Sequence, residues 1–154
     1  EYKGYQYEAA EASFELLVKK HLKKLSSFFE IEYFKVIGEK SGEKQNPSSA
    51  IVKVNVGDRN EIAADEGDGP VNALDKALRT ALKIFFPELD EVRLIDYKVR
   101  VVDSSSATAA MVRVLIETTD GRDVWTTVGA STDIINASVQ ALVDSIEYKL
   151  MKTR

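Results

Sequence analysis

The residues best suited to chemistry in this chain are the run Gly67-Asp68-Gly69-Pro70 and the acidic residue Asp96. Two glycines let the backbone approach a ligand closely, and proline is preferred at the first position of a helix. A helix starting here would direct free N–H groups and a partial positive charge at the loop, which suits a carboxylate. The carboxylate of Asp68 or Asp96 could form an ion pair with an ammonium group. The loop is therefore suited to a free amino acid, although an ordinary strand-to-helix turn has the same pattern.

Most catalytic and metal-binding motifs are missing from the sequence. The one histidine, His21, falls on the apolar side of a predicted helix, which favours a packed or interfacial role. There is no nucleophile elbow, phosphate loop or dinucleotide fingerprint. The absence of cysteine excludes disulfides and thiol nucleophiles. Asp65, Glu66 and Asp68 do not have EF-hand spacing. We expect no catalytic residue, no metal site and no cofactor here; a small enzyme using these carboxylates and Asp96 is the weaker alternative.

The composition is that of a folded, water-soluble domain. The 154 residues are 44% hydrophobic and 30% charged, with a net charge of −4. That charge argues against a nucleic-acid partner, and the lysines at 19–24 are interpreted as a solvated helix face. No apolar run approaches the roughly 20 residues of a membrane span, and no signal peptide opens the chain. We expect a cytoplasmic protein with no membrane partner, and the opening residues favour a fragment of a longer polypeptide.

Hydrophobic periodicity divides the chain into one helix followed by two similar halves. Phe14, Leu17 and Val18 form part of an apolar stripe on a helix predicted over 7–25. The first half has three predicted strands and a helix that begins at Pro70. The second half has the same order, and Ser131, Thr132 or Asp133 could cap its helix. The predicted strands cover 28–40, 50–56, 61–66, 92–103, 109–118 and 122–130, and the last helix runs to about residue 152.

The two halves also match in their letters. Ala50-Ile-Val-Lys-Val54 resembles Ala110-Met-Val-Arg-Val114, and Asn72-Ala73 resembles Asn136-Ala137, at offsets of 60 and 64 residues. We predict an α+β fold of two pseudo-repeated βββα units packed around one core, preceded by a linker helix. The predicted boundaries are 1–26 for the end of the linker and 27–154 for the main domain, with units at about 28–86 and 91–152.

Three long motifs resemble the C-terminal part of citramalate synthases, which are relatives of α-isopropylmalate synthase. They start at Gly4 (GYQYEAAEASFELL), at Gly67 (GDGPVNALDKAL) and at Val92 (VRLIDYKV), and the resemblance covers nearly the whole chain. It implies a parent enzyme that joins acetyl-CoA to a 2-oxo acid in a metal-dependent (β/α)₈ barrel. That barrel is absent from this sequence, so the resemblance implies a regulatory part without turnover of its own.

The resemblance further implies a homodimer that binds an end-product amino acid as feedback inhibitor. The motif at Gly4 favours the citramalate branch, which makes isoleucine the first choice of effector. Leucine, with an α-isopropylmalate synthase as parent, is the second choice, and a purely structural dimerisation module is the third possibility. The effector-binding residues that it implies are Gly67, Asp68, Gly69, Val71, Asn72, Leu94, Asp96, Tyr97, Val101, Ala107, Ala109 and Ile134.

Overall fold

The computed structural model describes residues 11–21, 27–38, 48–101 and 111–154, which form two compact units. The first unit spans residues 27–90, and the second comprises residues 91–154 together with the first helix. Each unit contains a three-stranded antiparallel sheet followed by a helix, so the predicted α+β class with two βββα units is confirmed. A core shared by the two units stays a prediction. The elements are α1 (Glu11–His21), β1 (Glu30–Gly38), β2 (Ser48–Val56), β3 (Arg59–Gly67), α2 (Pro70–Leu82), a 3₁₀ turn (Pro87–Glu91), β4 (Arg93–Val101), β5 (Val112–Thr119), β6 (Val124–Ser131) and α3 (Ile134–Thr153).

In the first unit, buried and half-buried side chains alternate along β2. Ala50, Val52 and Val54 are buried, while the residues between them are half-buried. Because successive side chains of a strand point to opposite faces, one face of the sheet packs on α2 and the other does not. The face of α2 that packs on this sheet is a stripe of small and branched residues, all of them buried: Ala73, Leu74, Ala77, Leu78, Ala81 and Leu82.

The second unit repeats this arrangement with more polar contacts. Val114 and Ile116 of β5 are fully buried. Beside them, the hydroxyl groups of Thr118 and Ser145 lie 2.6 Å apart, and the indole N–H of Trp125 donates to the Ser145 carbonyl at 3.1 Å. Because buried polar groups are costly unless they are hydrogen-bonded, these pairs fix how α3 lies across its sheet.

The register of the sheets shows how the two units correspond. The first strand of each sheet has an irregularity near its start, between Ile31 and Tyr33 in β1 and between Leu94 and Asp96 in β4. In the later strands Ala50 pairs with Asp65, and Val114 pairs with Gly129 at an offset of 64 residues. The same offset relates the starts of α2 and α3. The resemblance of residues 50–54 to 110–114, at an offset of 60, is therefore not the structural alignment.

Helix α1 packs on the second unit through a different face from the predicted apolar stripe. Leu16 and Ser13 are buried, whereas Phe14 and Leu17 of the predicted stripe are 51% and 49% exposed. The Ser13 hydroxyl accepts the Val128 N–H at 2.9 Å and donates to the Asp144 carboxylate at 3.2 Å. Val128 lies in β6, an outer strand of its sheet. The helix is thus fixed to the outer strand and to α3 at once.

Gly129→Ala is expected to destabilise the protein by about 3 kcal/mol, since a tightly packed interior tolerates added atoms poorly. A Cβ at this position would collide with the carbonyl oxygen of Ala137 and lie 2.9 Å from the Cβ of Gln140, both in α3. Urea denaturation measures the loss. Gly38→Ala is the control, because a Cβ there has nothing within 4 Å, and it should stay within about 0.5 kcal/mol of the parent. Equal effects of the two substitutions would contradict this close approach.

Candidate functional site

The predicted ligand loop lies between β3 and α2 in the first unit. Strand β3 ends at Gly67 and α2 begins at Pro70, with Gly69 as the N-cap residue. The backbone of Gly69 is extended, with φ −163° and ψ 174°, and no side chain caps the helix. Because extended backbone is open to any residue, the glycine is not required by its own conformation. A Cβ on Gly69 would meet nothing within 4 Å, so space is open beside it.

Gly67 lies in close contact with the first turn of α2. A Cβ at Gly67 would collide with the side-chain oxygen of Asn72 and lie 2.5 Å from the backbone nitrogen of Ala73. The glycine is therefore required because the end of β3 lies directly against the first turn of α2. Close approach to the chain's own helix accounts for a glycine here, and contact of Gly67 with a ligand stays a prediction.

The first turn of α2 offers hydrogen-bond donors to the loop. The first N–H groups of any helix have no partner within the helix. Pro70 has no N–H to offer, and the Ala73 N–H is bonded to the Gly69 carbonyl at 3.0 Å. The N–H groups of Val71 and Asn72 remain as the donors at this end. Together with the positive end of the helix dipole, they form an arrangement that stabilises a carboxylate.

The side chain of Asn72 organises this loop. Its Oδ1 accepts the backbone N–H of Asp68 at 3.2 Å, which turns the loop back onto the helix. The side-chain NH₂ then remains as a further donor. Asp68 is exposed beside this turn, so its carboxylate lies in water close to the helix start.

Three predicted residues of β4 lie on one face of the second sheet. Leu94, Tyr97 and Val101 pair with residues of β5 that face α3. The Tyr97 hydroxyl lies 3.3 Å from the Ser138 hydroxyl, and Ser138 in turn donates to the carbonyl of Ile134 at 2.7 Å. The structure therefore brings Tyr97 close to the first turn of α3.

Asp96 lies on the other face of the same sheet. It pairs with Glu117, one position away from the row that faces α3. Its carboxylate accepts the Tyr97 N–H at 2.8 Å and lies 3.7 Å from the ammonium of Lys98. A shallow cleft beside it is lined by Asp96, Lys98, Leu115, Glu117 and Thr126. The alternation of side chains along a strand was the signal that separates Asp96 from Tyr97.

Two of the predicted effector-binding residues are not covered by the structure. Ala107 and Ala109 lie outside the described residues, as do the contacts of the His21 side chain. Within the described residues, no three His, Cys, Asp or Glu side chains stand close enough to hold a metal ion. The Asp65 carboxylate accepts the Thr80 hydroxyl at 3.3 Å instead. Among the helices that the structure describes, none is both long and apolar enough to span a membrane.

The start of α3 resembles that of α2 in backbone but not in side chain. Of the three candidate caps, Asp133 is the N-cap residue, and its carboxylate accepts the Ile135 N–H at 2.8 Å. Asn136 donates to its other oxygen at 3.4 Å. Asp133 was among the predicted caps, but the contrast with the uncapped Gly69 was not predicted.

Comparison with known proteins gives consistent relatives. The model of the LeuA allosteric (dimerisation) domain matches residues 8–150. The chain is 54% identical over 154 residues to an (R)-citramalate synthase of Geobacter sulfurreducens, covering 99% of this chain and 29% of that protein. It is 50% identical over 153 residues to the (R)-citramalate synthase of Aquifex aeolicus, with the same coverage. It is 43% identical over 150 residues to the (R)-citramalate synthase of Streptomyces coelicolor, covering 97% of this chain and 28% of that protein.

The chain spans less than a third of the length of these curated relatives. The match to the family model, in contrast, extends over nearly all of the chain and includes both βββα units. This chain therefore belongs to the family of LeuA allosteric (dimerisation) domains.

Proposed function

We propose that this chain is the feedback-regulatory, dimer-forming part of a citramalate synthase, and that it binds isoleucine. The relatives named above are (R)-citramalate synthases, and they are more than three times as long as this chain. The family description joins allostery with dimerisation. The reaction itself, from acetyl-CoA and pyruvate, then belongs to the rest of the parent protein, and this part only reports the concentration of the end product.

The observation that carries the proposal is the uncapped start of α2. A helix end usually satisfies its free N–H groups with a Ser, Thr, Asp or Asn side chain. Gly69 supplies none, and Pro70 follows it directly. The donors of Val71 and Asn72, with open space beside Gly69, suit the carboxylate of a free amino acid.

The rest of an amino acid finds suitable groups close by. The exposed carboxylate of Asp68 lies beside the helix start and can pair with an ammonium group. Val71 is half-buried in the first turn and offers apolar surface to a branched side chain. The apolar wall around the effector's side chain stays a prediction. It would be formed by the predicted residues of β4 and α3 and by Ala107 and Ala109, which lie outside the described residues.

Regulation follows from linkage between binding and conformation. An effector that binds one arrangement of the dimer more tightly shifts the population toward that arrangement. Couplings of this kind are typically about 1–3 kcal/mol. Helix α1, fixed to the second unit through Ser13, corresponds in the resemblance to the end of the linker, and we propose that it transmits the shift.

Isothermal titration of the chain with isoleucine and with leucine tests the proposal. We expect saturable heat with isoleucine, weaker binding of leucine, and a rise in melting temperature. At a free ligand concentration of 100 times Kd the native state gains about 2.7 kcal/mol. D-isoleucine, which places the same groups with the opposite hand, is the control. Tighter binding of leucine than of isoleucine would favour an α-isopropylmalate synthase as the parent enzyme. No heat and no melting shift with either amino acid at millimolar concentration would refute effector binding.

A further inference from the structure

We infer that Arg113 and Arg100, in the sheet of the second unit, bind a phosphate-type oxyanion. The observation that carries the inference is the guanidinium of Arg113. This residue is only 5% exposed, and its Nε and Nη1 atoms are buried without a hydrogen-bond partner. A guanidinium stays charged at every pH at which a protein works, and a buried charge without a partner is costly to a fold. An anion from outside the chain would supply the missing partner.

The alternation of β5 places Arg113 on the face of the second sheet that lies away from α3. Val114 and Ile116, which are fully buried, face α3. Because successive side chains of a strand point to opposite faces, Arg113 and Leu115 share the other face. Leu115 also lines the shallow cleft beside Asp96. The cleft therefore extends to the position next to Arg113, which gives a small ion a route from solvent.

A second cation lies directly opposite Arg113 in the sheet. Arg100 of β4 is its partner in register and is exposed. On the other side, the partner in β6 is Ala130, which has only a methyl group. Like charges directly opposite each other destabilise a sheet. An anion that contacts both guanidinium groups would turn this repulsion into attraction.

The acidic side chains of this sheet face lie at its other end. Asp96 and Glu117 pair with each other four residues along the strands from the two arginines, a separation of about 13 Å between Cα atoms at 3.4 Å per residue. Lys98 comes between them, with its ammonium 3.7 Å from the Asp96 carboxylate. Among the described residues of this face, the charged neighbour next to the arginines is thus another cation.

The number of free donors indicates the class of ligand. Nε carries one N–H and Nη1 carries two, so three N–H donors of Arg113 lack an acceptor. Guanidinium groups bind carboxylate and phosphate through paired hydrogen bonds. A carboxylate has two oxygens, whereas a tetrahedral phosphate has four and can accept from Arg113 and Arg100 at once. The ligand is therefore inorganic phosphate or the phosphoryl group of a larger molecule.

Titration of the chain with sodium phosphate, at an ionic strength held constant with sodium chloride, tests the inference. In the wild type, the Nε–H signal of Arg113 in NMR spectra should shift saturably, and the melting temperature should rise. Arg113→Met keeps an apolar side chain without the guanidinium, and it should weaken phosphate binding at least about tenfold, the loss typical of hydrogen bonds to a charged group. Arg122→Met is the matched control, because Arg122 is exposed in the β5–β6 turn, and it should bind as the wild type does.

Methyl phosphate and acetate complete the experiment. Tighter binding of methyl phosphate than of inorganic phosphate would identify the ligand as a phosphoryl group, and the reverse would identify it as the free ion. An Arg113 signal that phosphate does not move would overturn the inference, as would undiminished binding by Arg113→Met or binding of acetate as tight as that of phosphate. The wild-type spectra decide the question even if the variant fails to fold. Because no amino acid is present, the result is independent of isoleucine binding.

Discussion

Gly69→Asp should abolish isoleucine binding, with a loss in affinity of at least about 100-fold, or roughly 2.7 kcal/mol. The new carboxylate would cap α2 from within, as Asp133 caps α3 at 2.8 Å, and would occupy the donors that the effector requires. Its negative charge would also repel the effector's carboxylate. Titration calorimetry measures the loss, and Gly69→Ala, which leaves the donors free, should bind with little change.

The same substitution should leave the fold intact or strengthen it. Space beside Gly69 is open, and its extended backbone suits aspartate. An N-terminal acid that caps a helix contributes about 0.3–1 kcal/mol through the helix dipole. We therefore expect an unchanged or slightly higher melting temperature together with lost binding. Unaltered binding by Gly69→Asp would show that the effector does not use this helix start, and loss of folding would show that the loop is not open as described.

The second large effect is expected at the buried ion pair of the second unit. The ammonium of Lys149 lies 2.8 Å from Asp120 Oδ2, and both side chains are only 4% exposed. Asp120 Oδ1 also accepts the backbone N–H groups of Arg122 and Asp123, at 3.0 and 2.9 Å. One carboxylate therefore holds both the β5–β6 turn and the last turns of α3.

Asp120→Asn should destabilise the protein by about 3 kcal/mol at neutral pH. The amide oxygen can still accept the turn N–H groups, but the buried Lys149 ammonium then keeps only the exposed carboxylate of Glu91, at 3.4 Å. Breaking a buried ion pair typically costs about 3–5 kcal/mol. Asp123→Asn is the matched control. Asp123 pairs with Lys152 at 2.7 Å but is 64% exposed, so its loss should cost less than about 1 kcal/mol. Similar losses in the two variants would contradict the special role of the buried pair.

The stabilisation by Asp120 should disappear in acid. Burial alone raises the pKa of this carboxyl, but the N–H groups of Asp123 and Arg122 and the Lys149 ammonium outweigh it and hold the pKa far below the usual 3.8. A depressed pKa in the folded state gives stability that is complete above the unfolded pKa and is lost as the pH falls below it. The difference in unfolding free energy between wild type and Asp120→Asn should therefore be constant above about pH 5 and shrink below about pH 4. A gap that stays constant down to pH 2 would contradict this assignment.

The elements of this fold could be predicted from the sequence because their signals are local. Alternating residues predicted β2, and Pro70 marked the first residue of α2. The family motifs pointed to the regulatory assignment. Periodicity, capping and turn residues act over a few positions, so they can be recognised without knowledge of what packs opposite.

Faces and close approaches could not be predicted in this way. Phe14 and Leu17 belong to a regular apolar stripe, yet α1 packs through Ser13 and Leu16. The Ser13 hydroxyl bonds to Val128 of β6 and Asp144 of α3, and such bonds between distant segments leave no local signal in the sequence.

The sequence by itself thus determined the order of the elements, the repeat and the presence of a glycine turn before α2. The tertiary structure decided that Gly67 serves contact with the helix while Gly69 leaves space, and that Asp96 and Tyr97 lie on opposite faces. It also decided that Asp133 fills the helix start that Gly69 leaves open. The physical reason is that the type of a residue fixes which bonds it can make, whereas packing between distant segments fixes which of those bonds are made.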